Sequence, residues 1–309
     1  MFKLFINDFF YIFNDVDICN YADDNTIHAC DKDLISLMDK IEGGAAKAIE
    51  WFKCNGMQPN PDKCHLLVCG HKHEVMIGKV DKELIIESLN VDLLGVSIDS
   101  KLNFDRHIDN ICKKVAKKLG ALSRHCVLLS FNKRKILMNS FVKSQFSYCP
   151  LIMMLHSRKS NKKINDLHHR ILRLVYQDTN SSFEQLLDNS VSIHHQNIHC
   201  LAIEMYKTIK GLGPSFMADI FQFNNNIHSG NVSSNTRLQS VFYNRFNPRT
   251  VHYGSKTLRS LGPKIWNIIP ENIKSTTSLS GFKHKIKNWK PVECPCRICA
   301  TFIPDLGFI

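Results

Sequence analysis

With 309 residues, 44% of them hydrophobic, and a net charge of +12, the chain has room for one large domain or two to three small ones and enough apolar residues for a core. No apolar run approaches the roughly eighteen residues of a membrane span, so no membrane partner is expected, and the apolar start over 1–13 is interrupted by Asp8 with no small-residue cleavage site after it, which argues against a signal peptide. Twelve cysteines, nine of them outside a cluster near the C-terminus, do not make the framework of a small secreted protein; they point to a reducing, intracellular setting, nuclear or cytoplasmic.

The first predicted strands, 16–20 and 26–29, flank Tyr21-Ala22-Asp23-Asp24 and read as a β-hairpin with acids at its tip. Neighbouring strand residues point to opposite faces, so a bend is needed to bring both carboxylates near one site. Like charges this close repel, and a divalent cation removes the conflict. Mg²⁺ takes hard oxygen ligands, commonly one or two carboxylates plus substrate phosphates. Asp23 and Asp24 are therefore the candidate catalytic and Mg²⁺-binding pair of a phosphoryl-transfer site, and the plain alternative is an acidic turn.

From 33 to 52, Leu34, Leu37, Met38, Ile41, Ala45, Ala48, Ile49 and Phe52 recur at steps of three and four, which predicts an amphipathic helix stopped at Gly56. Gly43-Gly44 weakens its middle, and close helix–sheet packing would account for the pair. Lys63 follows the turn-rich Pro59-Asn60-Pro61-Asp62 and is a candidate catalytic clamp or acid for a leaving pyrophosphate. Strands are predicted over 65–69, 75–77, 84–86 and 93–98, giving with the hairpin a small antiparallel sheet backed by helices, an α+β arrangement.

After residue 100 the periodicity turns helical. Ile108, Ile111, Val115, Leu119 and Leu122 form one stripe, and Lys113, Lys114, Lys117 and Lys118 fall largely off it, placed to meet phosphates. Further helices are predicted over 131–148 (capped by Ser130), 162–176 and 193–210, with Ser181 and Glu184 as a capping box, so this part reads as a helical bundle. His195 and His199 are four apart, but no acid lies between them as in His-Glu-x-x-His; packing is the reading for them and for His168, His169 and His194.

The Asn- and Ser-rich stretch 224–236 reads as a linker. Beyond it Arg237, Arg245, Arg249, Lys256 and Arg259 alternate with Phe242, Tyr243, Phe246 and Tyr253, a pattern that suits single-stranded nucleic acid as well as a minor core. Cys294, Cys296 and Cys299 offer three thiols to Zn²⁺, whose structural sites want four ligands; His284 is the nearest histidine, and an unmetallated tail is the alternative. The charge divides with the elements: residues 1–100 carry nine lysines, no arginine and 17 acids, net −8, while 101–309 carry 31 basic and 11 acidic residues, net +20. An acidic head joined to a basic body suits a metal site attached to a phosphate-binding surface.

Tyr21-Ala22-Asp23-Asp24 on a hairpin resembles the catalytic signature of reverse transcriptases. Leu4-Phe5-Ile6-Asn7-Asp8-Phe9-Phe10 resembles the helix before that hairpin in non-LTR (LINE-type, jockey-like) retrotransposon enzymes. Trp51-Phe52, Asn55-Gly56-Met57 and Asn60 with Lys63-Cys64 resemble the next palm motif, and Leu94-Gly95-Val96-Ser97-Ile98-Asp99 with Leu102-Asn103-Phe104 and His107-Ile108 the one after it. Leu261-Gly262-Pro263-Lys264-Ile265-Trp266-Asn267-Ile268-Ile269-Pro270 and the Cys-rich tail resemble the C-terminal region of the same elements.

The resemblance implies the C-terminal part of a polymerase palm over 1–100, a helical thumb-like domain over 101–223, the linker, and an irregular basic C-terminal region over 237–309. It implies an RNA-directed DNA polymerase, a nucleotidyltransferase extending a DNA primer 3′-OH on an RNA template with dNTPs and Mg²⁺, with Tyr21 beside the primer end and Ala22 leaving room for nucleic acid. Such enzymes take a further metal-binding aspartate and a fingers region from upstream of the hairpin, where this chain has twenty residues. The expectation is a truncated polymerase, inactive as an isolated chain; the alternatives are a non-catalytic nucleic-acid-binding protein or a pseudogene product.

Overall fold

The computed structural model describes residues 2–70, 75–154, 157–187, 191–221, 254 and 257–290. The chain forms two compact units, Met1–Leu102 and Asn103–Ile309. The predicted linker at 224–236 and the tail cysteines lie outside the described residues.

The first unit runs α1 (Phe2–Phe5), a 3-10 turn (Asn7–Ile12), β1 (Asp17–Tyr21), β2 (Asp24–His28), α2 (Leu34–Cys54), β3 (Ile77–Val80), β4 (Glu83–Ile86), β5 (Asn90–Leu93) and β6 (Val96–Asp99). The α2 helix begins at Asp33, whose carboxylate accepts the Ser36 amide at 2.9 Å. It ends as predicted at Gly56 (φ +71), where the Gly56 amide donates to Lys53 O at 3.1 Å and the Met57 amide to Phe52 O at 2.8 Å, a Schellman closure that needs the left-handed residue. Phe9 is fully buried between Phe13, Trp51 and Phe52, with ring centroids 5.1, 5.0 and 5.0 Å away, and Ile6, Ala48, Ile18 and Ile27 complete this small core.

The strands correct the expected single sheet. Among the described residues they pair as three separate antiparallel hairpins, β1–β2, β3–β4 and β5–β6. The predicted strand at 65–69 is reduced to one bridge, Leu66 to Glu87. The run predicted over 93–98 is broken by Leu94-Gly95, both at positive φ (+48 and +80), which closes β5 onto β6 in a two-residue turn. Asparagine or aspartate usually announces the first position of such a turn; leucine there hides it.

The paired glycines divide their roles. A Cβ on Gly44 would lie 2.9 Å from Val16 Cγ2 and 3.3 Å from Ile27 Cγ2, so α2 presses against the first hairpin at this point; a Cβ on Gly43 would meet nothing within 4 Å. Gly43→Ala is therefore expected to stabilise the first unit by about 0.5–1 kcal/mol through helix propensity. Gly44→Ala is expected to destabilise it by about 1–2 kcal/mol through overpacking. Urea unfolding of both variants checks this, and effects of the same sign would contradict the contact.

The second unit contains α3 (Asp105–Cys126), α4 (Phe131–Leu137), α5 (Arg158–Tyr176), α6 (Phe183–Leu187), α7 (Ile193–Ile209), α8 (Ser215–Ile220), α9 (Leu258–Ile268), α10 (Glu271–Lys274) and α11 (Leu279–Asn288). The predicted helix 131–148 is corrected: after α4 the chain makes a π turn over Met138–Val142 and a 3-10 turn over Lys143–Phe146. The α5 helix starts earlier than predicted because Ser157 caps it and Asp105, at the start of α3, accepts the hydroxyls of Ser157 and Ser160 at 2.7 and 2.5 Å. The capping box at α6 is shifted by one residue: Ser182 and Gln185 bond reciprocally at 2.8 and 3.3 Å, and Ser181 instead donates to Asp178 at 2.6 Å.

Two cores hold this unit. Ile108, Val115, Leu119, Met138, Phe146 and Ile171 pack α3 and α5 around the π turn. Tyr206, Trp266 and Phe282 join α7, α9 and α11, with Tyr206 stacked on Phe282 at 4.3 Å and its hydroxyl donating to Thr276 O at 2.9 Å. The expectation of an irregular region after 237 is corrected over 257–290, which supplies three core-forming helices; Leu261, Ile265 and Trp266, spaced four and one apart, make the buried face of α9.

Candidate metal-binding hairpin and basic helix face

The β1–β2 register pairs Asp17 with His28, Cys19 with Thr26 and Tyr21 with Asp24, leaving Ala22 and Asp23 as a two-residue turn. Ile18 and Ile27 face the first unit's core, so by alternation the Tyr21–Asp24 pair shares the opposite face with Asp17 and His28, whose side chains lie 3.7 Å apart. Ala22 adopts φ +56, a conformation L-residues avoid, and two asparagines brace it. Asn20 Nδ2 donates to Ala22 O at 2.9 Å and to Asn25 Oδ1 at 2.7 Å, and Asn25 Nδ2 donates to Asp23 O at 3.2 Å. The brace is the part the sequence reading missed; its signal is the symmetric placement of Asn20 and Asn25 about the turn.

Asp23, Asp24 and Tyr21 are all exposed. Among the described residues neither carboxylate is engaged in an ion pair. The turn thus offers two uncommitted carboxylates from adjacent residues of a braced backbone. No cluster of three or more His, Cys, Asp or Glu side chains able to hold a metal occurs among the described residues, so this pair has no third side-chain donor there. A groove of about 480 Å³ lies at the base of the hairpin rather than its tip, lined by Asp15, Val16, Asp39, Lys40 and Gly43 among others. Lys40 in that groove is committed to Asp31 at 2.5 Å.

Lys63 ends an exposed 3-10 turn, Pro61–Lys63, set by Asn60, whose side chain accepts the Asp62 amide at 3.0 Å. Among the described residues no ion pair joins Lys63 to Asp23 or Asp24.

On α3 the predicted stripe Ile108, Ile111, Val115 and Leu119 is buried, and Lys113, Lys114 and Lys117 are exposed, with Lys118 partly so. Two exposed arginines that the sequence reading passed over, Arg106 and Arg124, extend the basic face. Arg106, Lys113, Lys117 and Arg124 are spaced seven, four and seven residues apart, which keeps them within about 20° of one line along the helix over about 27 Å. The signal was present as the seven-residue offsets.

Arg245 and Arg249, and Cys294, Cys296 and Cys299, lie outside the described residues. His199 Nε2 is bonded to Trp289 O at 2.7 Å and burial pulls its pKa down, so it serves as a packing link between α7 and the end of α11. No helix among the described residues is long and apolar enough to cross a membrane. Comparison of the chain with protein-family models, curated proteins and solved structures gave no match.

Proposed function

We propose that this chain carries the catalytic hairpin and a nucleic-acid-holding helix of a reverse-transcriptase-like RNA-directed DNA polymerase of the non-LTR, LINE-type class. The observation that carries the reading is the braced hairpin end, with Asp23 in its two-residue turn and Asp24 opening β2, both exposed and outside any ion pair among the described residues. Two-metal phosphoryl transfer clamps ions about 3.5–4 Å apart on the attacking and leaving oxygens, which takes more than two adjacent carboxylates. In this reading the pair holds Mg²⁺ productively only with a further carboxylate from another segment of polypeptide. Tyr21, across from Asp24, flanks the primer end, Lys63 supports the leaving pyrophosphate, and the α3 face, Arg245 and Arg249 hold the RNA template and DNA primer by their phosphates. Primer extension tests it: the isolated chain with an RNA template, DNA primer, dNTPs and Mg²⁺ gives no product, and a fusion of the chain to a reverse-transcriptase fingers-and-palm segment carrying the further metal-binding aspartate does. Extension by the isolated chain, or none by the folded fusion, contradicts the reading.

A second reading, non-catalytic nucleic-acid binding, is favoured by the α3 basic face alone. It separates from the first by primer extension, which it predicts for neither the isolated chain nor a fusion carrying the further carboxylate, whereas binding that survives Asp23→Asn with Asp24→Asn is expected on both readings.

A further inference from the structure

The β3–β4 hairpin turns one face to α2 and the other away from it. A Cβ on Gly78 would lie 3.2 Å from Leu66 Cδ2 and 3.4 Å from Met38 Cε, so the face carrying Gly78 and its cross-strand partner Ile85 is the packed one. Residues one step along each strand take the opposite face. There Ile77 pairs with Ile86 and Lys79 with Leu84, and the Glu87 amide donates to Met76 O at 2.9 Å, so the ladder runs on and brings Val75 onto the same side. Val75, Ile77, Leu84 and Ile86 are 69, 54, 69 and 64% exposed. They form one apolar patch with Lys79 toward its turn end. The edges of the hairpin are occupied instead. At the outer edge of β3 the Lys79 amide donates to the Glu42 carboxylate of α2 at 2.9 Å. At the outer edge of β4 Leu66 bridges to Glu87, and Leu66 O accepts the Ser88 amide at 2.8 Å. A further strand is blocked at these positions, and the apolar face is what a partner can use.

We propose that this face is a self-association surface, through which two copies of the chain meet β3–β4 face to β3–β4 face about a two-fold axis. A two-fold contact sets a surface against itself, so like groups must be able to meet, and isoleucine, leucine and valine can where charges cannot. The patch presents no carboxylate, and its single cation lies at one end, away from the Ile77–Ile86 pair. The exposed parts of the four apolar side chains amount to about 500 Å² per chain, so two copies bury about 1,000 Å², the lower bound of a specific interface. That area fits a weak, reversible dimer rather than an obligate one. The charge distribution gives the dimer a signature. Residues 1–100 carry net −8 in each copy, so the two heads repel, and salt screens that repulsion. Association therefore holds or tightens as salt rises, opposite to contact with phosphates. The inference stands apart from the polymerase reading and from the α3 face.

The test is sedimentation velocity of the full chain, freed of nucleic acid and kept under reductant because Cys19, Cys30 and Cys54 are exposed thiols. The mass is expected to rise from one copy toward two, and no further, between about 1 and about 300 μM, with half-association in the range of tens of micromolar. Ile77→Lys with Ile86→Lys is expected to weaken association about tenfold or more, because each new ammonium would be buried against apolar groups. Both positions are exposed in the single chain, so the fold should hold; if the double variant fails to fold, Leu84→Lys alone carries the same expectation. Leu128→Lys, at an 83% exposed site of the second unit, is expected to change nothing. A chain that stays single up to about 300 μM, growth beyond two copies, a dimer indifferent to the hairpin variants or weakened as much by Leu128→Lys, or one that salt dissolves, overturns the proposal.

Discussion

Replacing Arg106, Lys113, Lys117 and Arg124 together by alanine is expected to weaken binding of an RNA–DNA primer–template about a thousandfold near 0.1 M salt and to flatten the plot of log affinity against log salt by about three to four. The four side chains lie along one exposed line of α3, opposite the buried stripe of Ile108, Val115 and Leu119, so their removal leaves the core of the second unit untouched. Phosphate contacts position nucleic acid without reading its sequence, and the loss should be nearly equal for unrelated sequences. A control that replaces the exposed Lys79 and Lys82 of the first unit, off the α3 line, should change little. Fluorescence anisotropy across a salt series decides it; an unchanged salt slope in the fourfold variant would remove α3 from the interface.

The second large effect concerns chemistry. In a fusion to a fingers-and-palm segment, if it extends a primer as proposed, Asp23→Asn is expected to reduce nucleotide incorporation roughly a thousandfold or more, because a metal clamp supplies several kcal/mol of transition-state stabilisation and each 1.4 kcal/mol is about tenfold in rate. Primer–template affinity should not fall, since an exposed negative charge near phosphates is being removed. Asn20→Ala is expected to act through the turn: it removes donors to Ala22 O and Asn25 Oδ1, frees the strained φ of Ala22, and lowers incorporation without touching a metal ligand. Single-turnover incorporation separates these from binding, and equal rates for Asp23→Asn and the unchanged chain would place the chemistry elsewhere.

The hairpin was legible because a short acidic turn separates two apolar runs, and the end of α2 because a glycine stop obeys a local rule; that Tyr21 and Asp24 pair and leave a two-residue turn was not. The amphipathic faces of α2, α3 and α5 were legible for the same reason: each pattern is decided by neighbours three or four residues away. What escaped needed tertiary information. Each pair of strands closes locally on itself, and the first two hairpins pack on α2, Val16 and Ile27 against Gly44 and Gly78 against Met38, contacts that strand propensity does not announce. The π turn after α4 answers the burial of Met138, Val142 and Phe146 in a core built from α3 and α5. At the site, the acids could be read as a pair, whereas the Asn20–Asn25 brace and the Arg106–Arg124 extension of the basic face became visible only once register and helix face were fixed.

We propose that Asp23, in the turn, and Asp24, beside it on β2, take a divalent cation through hard oxygen ligands. Paramagnetic broadening of backbone amide resonances by Mn²⁺, competed with Mg²⁺, reads this on the chain itself. Weak, Mg²⁺-reversible broadening centred on residues 21–25 is expected, and it is expected to disappear in the Asp23→Asn, Asp24→Asn variant. Broadening that spares these residues, or that persists unchanged in the double variant, would contradict it.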